Sequence, residues 1–335
     1  MDALVSVRNL KAYYKTPDNQ DVRAVDGVSL DILPGEALGI AGESGCGKST
    51  LSYVLSLFVQ KPLYIKEGEV FVEGRDMASF DEKTLQREVR GKVISVVPQG
   101  AMNSLNPTRK IRHMVIDVLR EHYPEMSPRE AVERGRERLE FLGLPPRVLD
   151  VYPHQLSGGM KQRVVTVIST LLNPKVLIVD EPTSALDVTS QKIVIKLLLD
   201  LLRKKIIQSI VFITHELPLL RHVADRIAIM YAGKIVELGT MQEIIFDPKH
   251  PYTQALIGSV LTPEPGMKDR KVTGIPGRPP DMKMPPAGCR FQERCPQRFG
   301  RCGEEPPRVN VGGREVLCWL LQNEPASELA DASAR

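Results

Sequence analysis

Ala37-Leu38-Gly39-Ile40-Ala41-Gly42-Glu43-Ser44-Gly45-Cys46-Gly47-Lys48-Ser49 is a short apolar run that breaks into a glycine-rich turn. Its second part fits the spacing G-x-x-x-x-G-K-[S/T], and the residues from Thr50 to Phe58 can continue it as a helix. Strand, glycine turn and helix in that order make an anion cradle. Glycines let backbone N–H groups turn inward onto phosphate oxygens, at the positive end of a helix dipole. Lys48 is expected to reach the β- and γ-phosphates of a nucleoside triphosphate, and the Ser49 hydroxyl to ligate Mg²⁺. Gly42, Ser44, Gly45, Cys46, Gly47 and Thr50 complete the expected phosphate contacts. The dipole could lower the Cys46 thiol pKa; a small, tolerated loop residue is the plainer reading.

Around this turn the chain alternates short strands with helical stretches. Val28, Leu30 and Ile32 alternate with polar neighbours, as do Val70 and Val72, so both segments read as strands. Val93 to Val97, Val176 to Val179 and Ile210 to Ile213 are near-continuous apolar runs, as parallel strands covered on both faces require. Ile111 to Glu121 and Pro128 to Leu142 show helical periodicity, with Ser127 and Pro128 as first-turn chemistry. Between Val97 and Val176 no strong strand pattern occurs, which predicts a helical subdomain set into an α/β sheet domain.

Composition bounds the rest. At 335 residues the chain exceeds one ordinary domain of roughly 100–200 residues, so two domains, or one with an extension, are expected. Apolar content of 42% and charged content of 26% exclude a disordered chain. No apolar stretch is long enough to span a bilayer, and Met1-Asp2-Ala3-Leu4 resembles no secretory signal, so a cytosolic location or a cytosolic membrane face is expected. A net charge of +4 with dispersed basic residues and 5% aromatics gives nucleic-acid binding little support.

Two acids close the site. Val176 to Val179 delivers Asp180 and Glu181 at a strand end, where Asp180 suits Mg²⁺ and Glu181 can polarise an attacking water as general base. His215 follows the next apolar strand and is expected to sense the γ-phosphate. Gln99, after Val93 to Val97, offers a neutral oxygen for Mg²⁺ or water. Tyr13 and Tyr14 are alternatives for stacking on adenine, with Tyr14 favoured.

Leu156-Ser157-Gly158-Gly159-Met160-Lys161-Gln162-Arg163 opens a further helix with a serine and two glycines, a second anion-binding N-terminus in one chain. The glycine loop, Gln99, this segment, Val179-Asp180-Glu181, Ser184-Ala185-Leu186-Asp187 and His215 occur in the order of the ATP-binding-cassette (ABC) family, which residues 4 to 258 or so resemble. That resemblance implies a P-loop NTPase fold: a RecA-like core, an antiparallel β subdomain and an inserted helical subdomain. It implies a head-to-tail pair of such domains, with Ser157, Gly158 and Gly159 of one chain contacting ATP held by the other. ATP charge joins the pair, loss of the γ-phosphate releases it, and the motion drives membrane subunits.

His250-Pro251-Tyr252-Thr253-Gln254-Ala255-Leu256, Val148 to Gln155 and Ser104-Leu105-Asn106-Pro107 look like the dipeptide/oligopeptide importer ATPases. The implied partners are a second ATPase subunit (a related chain, or a second copy), two permease subunits and an extracytoplasmic substrate-binding protein, with this chain peripheral on the cytoplasmic face. Those relatives carry Phe before the glutamine and Asp-Pro after it, whereas Pro98 and Gly100-Ala101 stand here. Oligosaccharide importers share this branch, and a soluble, non-transport ABC ATPase is the reading from another class.

The expected division is an ATP-binding domain over 1–258 (helical subdomain about 100–172), a proline-rich, irregular extension over 259–322 and a flexible tail over 323–335. Within the extension, Cys289, Cys295, Cys302 and Cys318 lack the C-x2-C pairs of zinc ribbons and ferredoxins, and in a reducing cytosol such a cluster favours metal over disulfide. The importer ATPases carry a comparable set, which implies a [4Fe–4S] cluster; zinc and disulfides remain alternatives.

Overall fold

The computed structural model describes residues 2–184, 186–259 and 274–322. The tail from 323, the first part of the proline-rich stretch and Ala185 lie outside the described residues. Among the described residues the strands are, in chain order, β1 (Val5–Lys15), β2 (Asp21–Ile32), β3 (Ala37–Ala41), β4 (Leu63–Val72), β5 (Arg75–Asp76), β6 (Ile94–Val97), β7 (Val176–Asp180), β8 (Ser209–Ile213), β9 (Arg226–Tyr231), β10 (Lys234–Thr240), β11 (Arg308–Val311) and β12 (Arg314–Leu317). They form an antiparallel sheet in the order β2-β1-β4-β5 and a larger mixed sheet in the order β11-β12-β10-β9-β3-β8-β7-β6.

The larger sheet is parallel from β9 through β3, β8 and β7 to β6. Every residue of β3, β7 and β8 is buried, which accounts for their unbroken apolar runs. Side chains of successive residues go to opposite faces. Leu38, Ile40, Ile178, Val211 and Ile213 pack with Leu51 and Val54 and with the inner face of the antiparallel sheet. Ala37, Leu177, Val179, Ile210 and Phe212 pack with Val164, Leu198 and Leu201 on the other side.

Between β6 and β7 the chain is helical, with helices Ile111–His122, Pro128–Phe141 and Gly158–Thr170 and short 3-10 turns. The second of these starts with a capping box. Ser127 Oγ accepts from Glu130 N at 3.2 Å while Glu130 Oε2 accepts from Ser127 N at 2.9 Å, satisfying two otherwise orphaned donors. The described part of the extension is irregular from 274 to about 304, then regular: β11 and β12 form a hairpin, and β12 pairs with β10 through Glu237–Val316 and Leu238–Glu315.

Candidate nucleotide site

The glycine loop leaves β3 and enters the helix Lys48–Leu55, as its sequence requires. Two glycines are demanded by close approach. A Cβ on Gly42 would lie 2.1 Å from Met230 O, and one on Gly47, at φ 106°, would lie 2.1 Å from Ala24 O. Lys48 is 7% exposed and folds back over the loop, Nζ donating to Gly42 O at 2.7 Å and Glu43 O at 3.0 Å. Cys46 lies beneath that ammonium, Sγ to Nζ 3.7 Å, and burial pushes its thiol pKa up in spite of the neighbouring charge. It is a packing residue, and the dipole-activated thiol is not realised.

A cavity of about 290 Å³ opens above the loop, lined by Tyr14, Ser44, Gly45, Lys48, Ser49, Thr50, Gln99 and Glu181, together with Val22, Ala24, Gly47 and Met282. β1 sends the two tyrosines to opposite sides by its alternation. Tyr13 points into the protein, its hydroxyl donating to Asp26 Oδ1 at 2.6 Å, whereas Tyr14 faces the cavity and its hydroxyl accepts from Thr50 Oγ1 at 3.3 Å.

At the far end β7 brings Asp180 against the Ser49 hydroxyl; burial raises the Asp180 carboxyl above its usual range, opposed by the Ser49 hydrogen bond. Glu181 turns the chain at φ 47°, its N–H held by Ile213 O at 2.8 Å and its carbonyl by Ser184 Oγ at 2.9 Å. A left-handed non-glycine residue costs about 1–3 kcal/mol, and this strain aims the carboxylate at the cavity. Glu181 Oε1 lies 2.9 Å from His215 Nδ1, and Oε2 accepts from Gln99 Nε2 at 2.9 Å. Gly100 follows Gln99 at φ 64°, a left-handed position that suits the glycine found here.

The segment Ser157, Gly158 and Gly159 is not part of this cavity. Ser157 caps the helix Gly158–Thr170, Oγ accepting from Met160 N at 3.4 Å, and none of the three residues lines the cavity.

Residues 25–184 match the ABC transporter family and residues 236–302 the oligopeptide/dipeptide transporter C-terminal region. Oligopeptide transport ATP-binding protein OppD of Bacillus subtilis is 44% identical over 323 residues, covering 95% of this chain and 89% of that protein. The chain belongs to the ABC transport ATPases of the oligopeptide/dipeptide branch. Dipeptide transport ATP-binding protein DppD of B. subtilis is 39% identical over 340 residues, covering 100% of both. The ATP-binding cassette MJ0796, in a dimeric post-hydrolysis state bound to ADP and Pi, superposes with a TM-score of 0.63 at 27% identity, covering 71% of this chain and 98% of that one. The fold is that of an ABC nucleotide-binding domain, and the chain is an ATP-hydrolysing transporter subunit. Among the described residues no helix is long and apolar enough to cross a membrane.

In this ABC ATPase the four C-terminal cysteines are near one another. Cys289 feels the charge of Cys295, Cys302 and Cys318, and Cys318 that of Cys295 and Cys302; Cys289 N donates to Cys302 O at 2.9 Å. None is in a disulfide. Burial pushes the Cys289 thiol up to about 11 and raises Cys295 and Cys318 as well. As placed, however, no group of three or more His, Cys, Asp or Glu among the described residues could hold a metal ion.

Several residues reach the site that the sequence did not assign to it. Met282, from the extension, lines the cavity, and its carbonyl accepts from Arg23 N at 2.9 Å. Tyr252, from the His250-Pro251-Tyr252 segment, accepts from Glu43 N at 2.9 Å through its hydroxyl. Arg294 reaches Glu43, and Arg290 reaches Asp26 and Ala232.

Proposed function

We propose that this chain is the ATP-hydrolysing motor of an importer for di- and oligopeptides, acting from the cytoplasmic face of the membrane. The observation that carries the reading is Glu181, strained into the phosphate cavity and bracketed there by Gln99 and His215. Lys48 and the loop N–H groups bind the β- and γ-phosphates, and Tyr14 stacks on the base. Ser49, Asp180 and Gln99 would hold Mg²⁺, an ion that takes one or two carboxylates plus substrate phosphates, and it would supply charge to offset that developing on the phosphates. Glu181 takes a proton from the attacking water, and His215 holds the carboxylate and contacts the γ-phosphate.

Ser157, Gly158 and Gly159 do not line this cavity, and they serve that of a second ATPase subunit in a head-to-tail pair, by preference a related chain. Two permease subunits and an extracytoplasmic substrate-binding protein complete the assembly. The ATP-binding domain spans 1–258, with its helical subdomain over about 100–172, and the extension runs from 259 to 322. Peptide as cargo rests on the names of the relatives. The test is ATPase activity of the assembled complex against short peptides and short oligosaccharides, each with its binding protein. Stimulation by peptides is expected; stimulation by sugars alone overturns the cargo and leaves the motor.

The four cysteines are proposed to hold a [4Fe–4S] cluster. The donor set is four thiols drawn together without disulfides, and a multi-iron cluster spaces its thiolates more widely than a single zinc ion does. Such a cluster would staple the extension. Protein purified anaerobically is expected to be brown, with iron and acid-labile sulfide near four each per chain. A colourless preparation with stoichiometric zinc and no iron overturns this assignment.

A further inference from the structure

Glu43 puts a carboxylate into a loop whose other groups favour an anion. Its backbone is part of the cradle: the carbonyl accepts from Lys48 Nζ and the N–H donates to Tyr252. Its side chain is met by Arg294 in a two-pronged pair, Nη1 to Oε2 at 2.6 Å and Nη2 to Oε1 at 3.0 Å. The Arg294 side chain is only 5% exposed. It is fixed from both sides, Nε donating to Pro276 O at 2.7 Å in the extension and Nη1 to the Tyr231 hydroxyl at 3.2 Å in the ATPase core. Arg290, four residues earlier, pairs with Asp26 and donates to Ala232 O; the next N–H, that of Gly233, donates to Cys46 O at 2.8 Å. One stretch of the extension, bounded by Cys289 and Cys295, therefore grips the glycine loop directly at Glu43 and braces, at Ala232, the turn whose Gly233 touches Cys46.

We propose that the stretch Cys289–Cys295 is a positioning element of the nucleotide site: Arg294 neutralises and anchors Glu43, and so sets the affinity of the loop for the triphosphate. This rests on the reading of residues 42–49 as the ATP site. An unpaired carboxylate in a partly buried loop repels phosphates held by the same loop, and a planar guanidinium fork both cancels that charge and fixes its position. Arg294 touches neither the attacking water nor Glu181, so its effect falls on binding rather than on the chemical step.

The experiment is titration of the full-length chain with MgATP, alongside KM and kcat of the assembled complex. Arg294→Met is expected to weaken MgATP binding about tenfold or more and to raise KM in parallel, with kcat within about twofold of the parent. Adding Glu43→Gln to Arg294→Met removes the unpaired charge and is expected to restore binding to within about threefold; Arg294→Lys keeps the charge and stays in the same range. Should Arg294→Met fail to fold, Arg294→Gln, which keeps hydrogen bonding without the charge, carries the same expectation. Unchanged affinity in these variants, or a loss that Glu43→Gln leaves in place, overturns the proposal. Lys48→Ala separates the two levels. If it abolishes binding while Arg294→Met is silent, only the role of the extension falls; if Lys48→Ala binds MgATP like the parent, the ATP-site reading falls and the proposal with it.

Discussion

Glu181 Oε1 and His215 Nδ1 stand 2.9 Å apart, across the ends of neighbouring parallel strands. The pair, completed by Gln99 on the other carboxylate oxygen, holds the Glu181 side chain in one rotamer at the cavity edge, where the proposed role is that of general base. Glu181→Gln keeps the shape and removes the proton acceptor. Turnover is expected to fall by about 10²–10⁴ while nucleotide binding is retained, so that ATP accumulates in a closed pair of subunits. Phosphate release and nucleotide retention measure this; unchanged turnover would remove Glu181 from the role of base.

The two adjacent tyrosines separate affinity from stability. Tyr14→Ala is expected to raise KM for ATP about tenfold, with Tyr14→Trp close to the parent, because stacking needs only an aromatic face. Tyr13→Phe removes a buried hydrogen bond to Asp26 and is expected to cost about 1–2 kcal/mol in unfolding free energy with little change in KM. The reverse pattern would assign the base to Tyr13.

Glycines of one loop are expected to differ in tolerance. Gly45→Ala, at φ 77° with no atom within 4 Å of the added Cβ, carries only backbone strain of about 1 kcal/mol. Gly47→Ala adds a collision with Ala24 O and is expected to lose more than about 2 kcal/mol together with nucleotide binding. Thermal unfolding of both variants, with and without MgATP, checks the contrast.

His250 is fully enclosed and held neutral, burial carrying its pKa down to about 3; its Nδ1 accepts from Tyr252 N at 3.0 Å to cap the helix Pro251–Gly258. With the folded value below the unfolded one, this residue's contribution is complete above about pH 6.5 and is lost progressively as the pH falls toward 3. His250→Asn retains a capping acceptor without the titration. It is expected to flatten the decline of stability between pH 6 and pH 4, read from urea midpoints; an identical slope would show that other groups govern it.

Much of this molecule could be read from local pattern. β3, β7 and β8 declared themselves because strands buried on both faces are apolar along all but an end residue, and the glycine loop did so because its spacing is itself a backbone geometry. Ser127 and Ser157 marked helix starts that the structure bears out as caps. Tyr13 and Tyr14 were legible only as alternatives, since which of them faces inward depends on the sheet packed against β1. The pairing of Glu43 with Arg294 spans 251 positions, and nothing in the residues around either one carries the other's address. The four cysteines illustrate the opposite limit: their presence was evident, while the arrangement of their thiols is a matter of tertiary placement.

The hairpin β11–β12 has a consequence for solubility. Without it, β10, a seven-residue strand buried over most of its length, would become the rim of the larger sheet, its free N–H and C=O groups open to any passing strand. The hairpin replaces that rim with β11, four residues long, with Arg308 and Asn310 outward and Arg308 Nη1 paired to Glu315 Oε2 at 2.7 Å. A short charged border of this kind discourages edge-to-edge stacking. Chains shortened to end before Arg308 are accordingly expected to self-associate, whatever becomes of their nucleotide pocket.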